Sequence, residues 1–234
     1  MNTSQTALEV MRGLFDRNKQ LSENLFVVSI GNLSGIYSIA QGKLVLSLDY
    51  VDIERSRKRD LLKIKNLFHH YGYFSLSQER IVVPIQFERI DFLDENSGLV
   101  DDDKFVIFDT EFKAFGLFSI TTQSIVLPTK YQEIKLLPGD RILVRKNYKF
   151  GVLSLIDFEE LLPLINDKFG PRIDCDLVVV NRNGAVGVYC LMEKCFVISL
   201  SYKEITLEKE TLIITGFDKT KTTVQVVEAR IAKI

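Results

Sequence analysis

Short apolar runs recur along the chain, each followed by a polar turn and a second apolar stretch that opens on a glycine. The runs are Leu25–Ile30, Leu61–Ile64, Phe105–Phe108, Ile142–Val144 and Leu177–Val180. The glycines are Gly35, Gly72, Gly116, Gly151 and Gly187, spaced 37, 44, 35 and 36 residues apart. Runs this short, punctuated by turn residues, predict β-strands rather than helices. Asn183-Gly184 is the clearest turn, a dipeptide suited to the positive φ angles of a tight hairpin. A second strand is expected to start at each glycine and a third to end near a proline.

The segments after the glycines align without a gap, so the columns can be compared directly. Three places on stand Ser38, Ser75, Ser119, Ser154 and Cys190; twelve on, Ser47, Pro84, Pro128, Pro163 and Ser199. Fifteen on come Tyr50, Phe87, Tyr131, Asn166 and Tyr202, and eighteen on Ile53, Ile90, Ile134, Phe169 and Ile205. The three-residue step from Tyr to Ile breaks strict alternation, which predicts a bend or bulge. The glycine fits a place where a side chain would strike adjacent backbone. In the strand it opens, both faces carry uncharged residues (Tyr73, Ser75 on one; Phe74, Leu76 on the other), so both faces should be covered. The small Ser or Cys is read as the point where a neighbouring layer comes close.

One unit cannot bury two faces by itself, so units must stack on one another. The expected fold is all-β with one N-terminal helix: residues 1–24 as helix and lead-in, then six antiparallel β units at about 25–60, 61–104, 105–140, 141–175, 176–210 and 211–234. The sixth, from Leu212–Ile214 through Val224, Val226 and Val227, lacks the glycine. A β-propeller is favoured, since six units fall within its range of blade numbers, with a linear β-solenoid as the alternative.

The pattern of glycine, two apolar residues, serine, then V-V-P and Y-x-x-I resembles the WG-repeat family over roughly residues 25 to 210. Tyr71, Phe115 and Phe150 supply the aromatic residue before the glycine, whereas Ser34 and Val186 depart from it and the chain has no tryptophan. The resemblance implies a bacterial β-rich interaction module and brings no catalytic residues to carry over.

Composition narrows the function. With 30 Lys and Arg against 31 Asp and Glu, the net charge is −1, which removes the usual basis for a whole-surface nucleic-acid binder. The apolar runs are far shorter than a bilayer span. With no signal-like N-terminus, the expected location is cytoplasmic. Cys175, Cys190 and Cys195 are an odd set without metal-ligand spacing, read as reduced thiols, and no metal or cofactor is expected.

Outside the framework, Leu8, Met11, Leu14 and Phe15 form one stripe of a helix over residues 6–19, either covering the end of the array or binding a partner. Arg55, Arg57, Lys58 and Arg59 make a basic loop in the first unit. Asp94, Glu95, Asp101, Asp102 and Asp103 make an acidic loop at the same offset in the second, so the two are expected on one side and close together. His69-His70 is placed in a surface turn. No column of His, Asp, Glu or Arg recurs, and no nucleophile or phosphate-loop motif is present. The expected function is therefore non-catalytic: a scaffold whose connections contact another protein, as accessory, regulator or immunity-type inhibitor. The alternative is a ligand-binding or enzymatic site in a central channel.

Overall fold

The computed structural model describes residues 13–56, 60–93, 104–109, 113–174 and 176–225. It is an all-β chain of 22 strands in five antiparallel sheets. The first sheet runs in chain order through β1 (Arg17–Gln20), β2 (Leu25–Ile30), β3 (Leu33–Ser38), β4 (Lys43–Arg55), β5 (Leu61–Asn66), β6 (Tyr71–Ser75) and β7 (Arg80–Phe87). The second contains β8 (Arg89–Phe92), β9 (Lys104–Asp109), β10 (Ala114–Ser119) and β11 (Ser124–Tyr131). The third contains β12 (Glu133–Leu137), β13 (Arg141–Lys146), β14 (Lys149–Ser154) and β15 (Glu160–Asn166). The fourth contains β16 (Lys168–Arg172), β17 (Leu177–Arg182), β18 (Ala185–Cys190) and β19 (Cys195–Tyr202), and the fifth β20 (Glu204–Glu208), β21 (Thr211–Thr215) and β22 (Lys221–Gln225). The described residues fall into two compact units: one holds residues up to Asp91 with 104–109 and 117–126, the other 92–93, 113–116 and 127–225.

The expected helix over 6–19 is not what its C-terminal part forms. Gly13 and Leu14 have helical geometry, but Arg17–Gln20 is the edge strand β1, with Arg17 opposite Ser29 and Gln20 opposite Phe26. Without it the free side of β2 would present a row of unpaired backbone groups, and strand pairing satisfies them. Residues 1–12, including Leu8 and Met11, lie outside the described residues.

The glycine column has a single geometric cause. A Cβ on Gly72 would lie 2.5 Å from the Val83 carbonyl oxygen and 2.7 Å from that of Pro84. On Gly116 it would lie 2.5 Å from the Leu127 oxygen, and on Gly35, Gly151 and Gly187 2.6–2.9 Å from the corresponding carbonyl oxygen. The pairing shows why. Tyr71 pairs with Phe87 and Tyr73 with Val83, so three residues, Pro84, Ile85 and Gln86, oppose Gly72 alone. The same shift brackets Gly35, Gly151 and Gly187. This bulge pushes the partner strand's carbonyls onto the glycine, and proline is tolerated there because the ladder has no use for its N–H.

Beyond the bulge the chain bends into the first strand of the next sheet. In β4 the passage is unbroken, so Tyr50 pairs with Ser34 on one side and Asn66 on the other. The Tyr-x-x-Ile segment therefore opens a new sheet rather than closing the old one. The fourth sheet demonstrates burial of both faces. Val178, Val180, Tyr189 and Leu191 pack with Leu143, Val152 and Leu162 of the third sheet, while Val179, Val188, Cys190 and Ile198 pack with Ile205, Leu212 and Ile214 of the fifth. Asn183 and Gly184 have φ of 54° and 80°, as a tight hairpin with two left-handed residues requires.

Replacing Gly72 with alanine forces a methyl group into backbone that cannot retreat. Gly72→Ala is expected to lower unfolding free energy by about 2–3 kcal/mol, whereas Pro84→Ala costs less than about 1 kcal/mol; urea denaturation of both variants checks the ranking.

Candidate functional site

The four-stranded sheets leave two kinds of surface feature, hairpins between their second and third strands and turns between their third and fourth, and the seven-stranded first sheet contains both kinds twice. The third-to-fourth turns are built by the serine column. Ser75 Oγ accepts the Gln78 N–H at 3.2 Å, Ser119 Oγ the Thr122 N–H at 3.2 Å, Ser38 Oγ the Gln41 N–H at 3.3 Å, and Cys190 Sγ the Glu193 N–H at 3.4 Å. One residue later the chain turns left-handed, at Gly42, Glu79, Gln123, Phe158 and Lys194. A short hydroxyl that bonds backbone a few residues on is what such a turn needs. The column thus caps a turn; its small size also suits burial, but that alone does not select serine.

A second column escaped the sequence reading. Just before the second strand of four repeats stand Asn24, Asp60, Asp140 and Asp176, whose carbonyls accept the N–H of Ile39, Leu76, Leu155 and Leu191 at 2.7–2.8 Å. This corrects the expectation that no acidic column recurs. It lay on the far side of a hairpin whose length varies by one residue, so it fell out of register with the glycines. Two of its carboxylates serve structure: Asp60 accepts from the Ser75 hydroxyl at 2.7 Å and from the Ser77 N–H and O–H at 2.9 Å, and Asp176 pairs with Arg141.

The basic loop begins with Arg55, which donates to the Leu21 carbonyl. Arg57, Lys58, Arg59, Asp94, Glu95, Asp101, Asp102 and Asp103 lie outside the described residues, as does Cys175. Phe15 lies against Tyr37, ring centroids 5.9 Å apart, beside buried Phe26 and Val28. His69 sits in the exposed turn between β5 and β6 with φ of 64°. Cys190 is buried within the apolar cluster between the fourth and fifth sheets, and Cys195 stands opposite it across the turn.

What the sequence reading did not single out is the apolar character of two neighbouring turns. Ile156 and Met192, each two places after the capping Ser154 or Cys190, are 79% and 75% exposed. Their repeat equivalents are Ala40, Ser77 and Thr121, so the signal was present in the column. The residue before each, Leu155 or Leu191, is buried. An ion pair between Lys194 and Glu159 ties the two turns together. Asp157, Glu159 and Glu193 stand on the same two turns, all exposed. The Ser154 hydroxyl, then the Glu159 N–H, hold the Asp157 carboxyl below its ordinary range, so it is ionised at neutral pH.

At the hairpins after β5, β13 and β21, Phe68, Tyr148 and Phe217 are also exposed, each two places after the strand that enters the turn. Asp167 organises the base of this region in the second unit. It takes the Lys149 ammonium on one oxygen and the Asn183 N–H at 2.6 Å on the other. Asn166 beside it replaces the aromatic of its column. Its amide donates to the Pro163 carbonyl at 2.7 Å and the Phe150 carbonyl at 3.3 Å, and its oxygen accepts the Arg182 guanidinium at 3.1 Å.

No family model and no curated protein matches the chain. Among solved structures it is similar to the computationally designed Ika8 protein, at 10% identity over 91% of this chain and 71% of that one, with a TM-score of 0.36. It is also similar to Hsv2p of Kluyveromyces lactis, at 9% identity over 92% of this chain and 75% of that one, with a TM-score of 0.39. No helix among the described residues is long and apolar enough to cross a membrane.

The Lys149 bond, followed by that from Asn183, depresses the Asp167 carboxyl below its ordinary value. A depressed carboxyl stabilises the fold fully above the unfolded pKa, near 4, and loses that contribution as pH falls through the folded value. Asp167→Asn is therefore expected to be less stable than wild type at pH 7, with the gap narrowing below about pH 4 in urea titrations.

Proposed function

We propose that the chain is a non-catalytic, WG-repeat-like scaffold of propeller type that binds another protein through the connections between its strands. The repeated glycine, proline, serine and aspartate positions are all absorbed by packing, bulges and turn capping, as are the hydrogen bonds to Asp60 and the ion pair of Asp176 with Arg141. The observation that carries the reading is the exposed pair Ile156 and Met192 on two turns joined by the Lys194–Glu159 ion pair. Apolar side chains of this size on adjacent capped turns gain nothing for the fold, and a rigid apolar centre with a polar rim is the usual anatomy of a binding surface.

With Glu159 paired to Lys194, the carboxylates of Asp157 and Glu193 remain beside the apolar pair, which favours a partner segment with an apolar anchor flanked by Lys or Arg. In such a scaffold the framework fixes the position of the turns and their side chains set the specificity. The reading includes a role as regulator or inhibitor of a partner protein in the cytoplasm of a bacterium.

Affinity purification from the native host with wild-type protein is expected to recover a partner in stoichiometric amount, and Ile156→Asp/Met192→Asp to lose it at unchanged melting temperature. Equal recovery by the double variant would remove this surface from the reading. A small metabolite that raises the melting temperature of a preparation free of any partner would favour the ligand-binding alternative.

A further inference from the structure

The first unit carries a cleft of about 670 Å³ whose lining is cationic and hydroxylic. Pairing puts its groups on one face of the β1–β3 ladder: Arg17 stands opposite Ser29, Lys19 opposite Val27, and Ser29 opposite Ser34. Directly opposed residues share a face of the sheet, so both cations and both hydroxyls converge there. Asn32, from the hairpin between β2 and β3, adds an amide, and Val51 of β4 closes an apolar side.

Among the described residues, the charged groups that line this cleft are both cations. Arg17 uses one terminal nitrogen on the Gly31 carbonyl at 3.0 Å, which fixes the guanidinium and leaves its other donors available. Neither Arg17 nor Lys19 pairs with a carboxylate of any described residue. Asp16, the carboxylate next to Arg17 in sequence, is committed to the Gly31 N–H at 2.7 Å. Ser29 and Ser34 share one hydrogen bond of 2.9 Å. Two hydroxyls with one bond between them leave one O–H still to donate. Among the described residues, no carboxylate lines the cleft.

We propose that this cleft binds a phosphate-bearing small molecule. Two positive charges match a phosphate dianion better than a singly charged carboxylate. The guanidinium, ammonium, hydroxyl and amide donors together suit three oxygens rather than two. The volume leaves room for an organic body beyond the phosphate, against Val27 and Val51, within the range of ordinary ligand sites. The inference is independent of the partner surface, because Ile156 and Met192 belong to the second unit.

The test is a titration of the ¹⁵N-labelled full chain with inorganic phosphate at constant ionic strength, followed by amide chemical shifts. Saturable shifts are expected at residues 17–19 and 27–34, with roughly tenfold weaker binding in Arg17→Gln/Lys19→Gln at unchanged melting temperature. Arg80→Gln, which removes a cation of β7 outside the cleft, should bind as wild type does. Shifts spread over the basic surface, shifts reproduced by chloride, or equal binding by the Arg17→Gln/Lys19→Gln variant would overturn the site. Acetate binding as tightly as phosphate would overturn the assignment to phosphate.

Discussion

The fold depends on one close approach: the carbonyls of a bulged strand lying where the Cβ of its neighbour would be. Five glycines make room for it. Because three residues then oppose one, the bulged strand turns out of its own sheet and enters the next. Every other regularity follows from that corner. Proline is accepted within the bulge, the Tyr-x-x-Ile segment becomes the first strand of a new sheet, and successive sheets are brought together so that both faces of a middle sheet are packed. The fourth sheet shows the result, with alternate residues of β17 and β18 divided between two separate apolar clusters.

Much of this was legible in the amino-acid order because the constraint falls on residue types that carry few other meanings. Glycine, proline and Asn-Gly each report a backbone conformation directly: the glycine column located the close approach and Asn-Gly a hairpin, while the bulge, expected at Tyr-x-x-Ile, lies just before it, opposite the glycine. Serine was ambiguous. A small buried hydroxyl can fill a tight space or cap a turn, and only the hydrogen bonds to Gln78 and Thr122 separate the two. The aspartate column was hidden for a geometric reason, since a hairpin of variable length lies between it and the glycine.

The N-terminal segment misled for a different reason. The helical stripe through Leu8, Met11, Leu14 and Phe15 is a real periodicity, yet Arg17–Gln20 pairs with an open sheet edge. Non-local hydrogen bonding outweighed local preference there, which no window of sequence reports. The candidate surfaces were the least legible. Ile156 and Met192 looked like ordinary apolar residues of a β unit until the capped turn placed them outward beside buried Leu155 and Leu191. Arg17 and Lys19 acquired meaning only once β1 set them across from Ser29 and Val27. In both cases the framework supplies position and the variable residue supplies chemistry, which is how a repeat scaffold separates stability from recognition.

Paired truncations on the two faces of one strand test the stacking most directly. Val178 packs toward the third sheet and Val179 toward the fifth, both buried. Val178→Ala and Val179→Ala should each lower unfolding free energy by on the order of 1–2 kcal/mol in urea denaturation. A marked loss for one and none for the other would mean that one broad side of the sheet faces water, and would contradict the account.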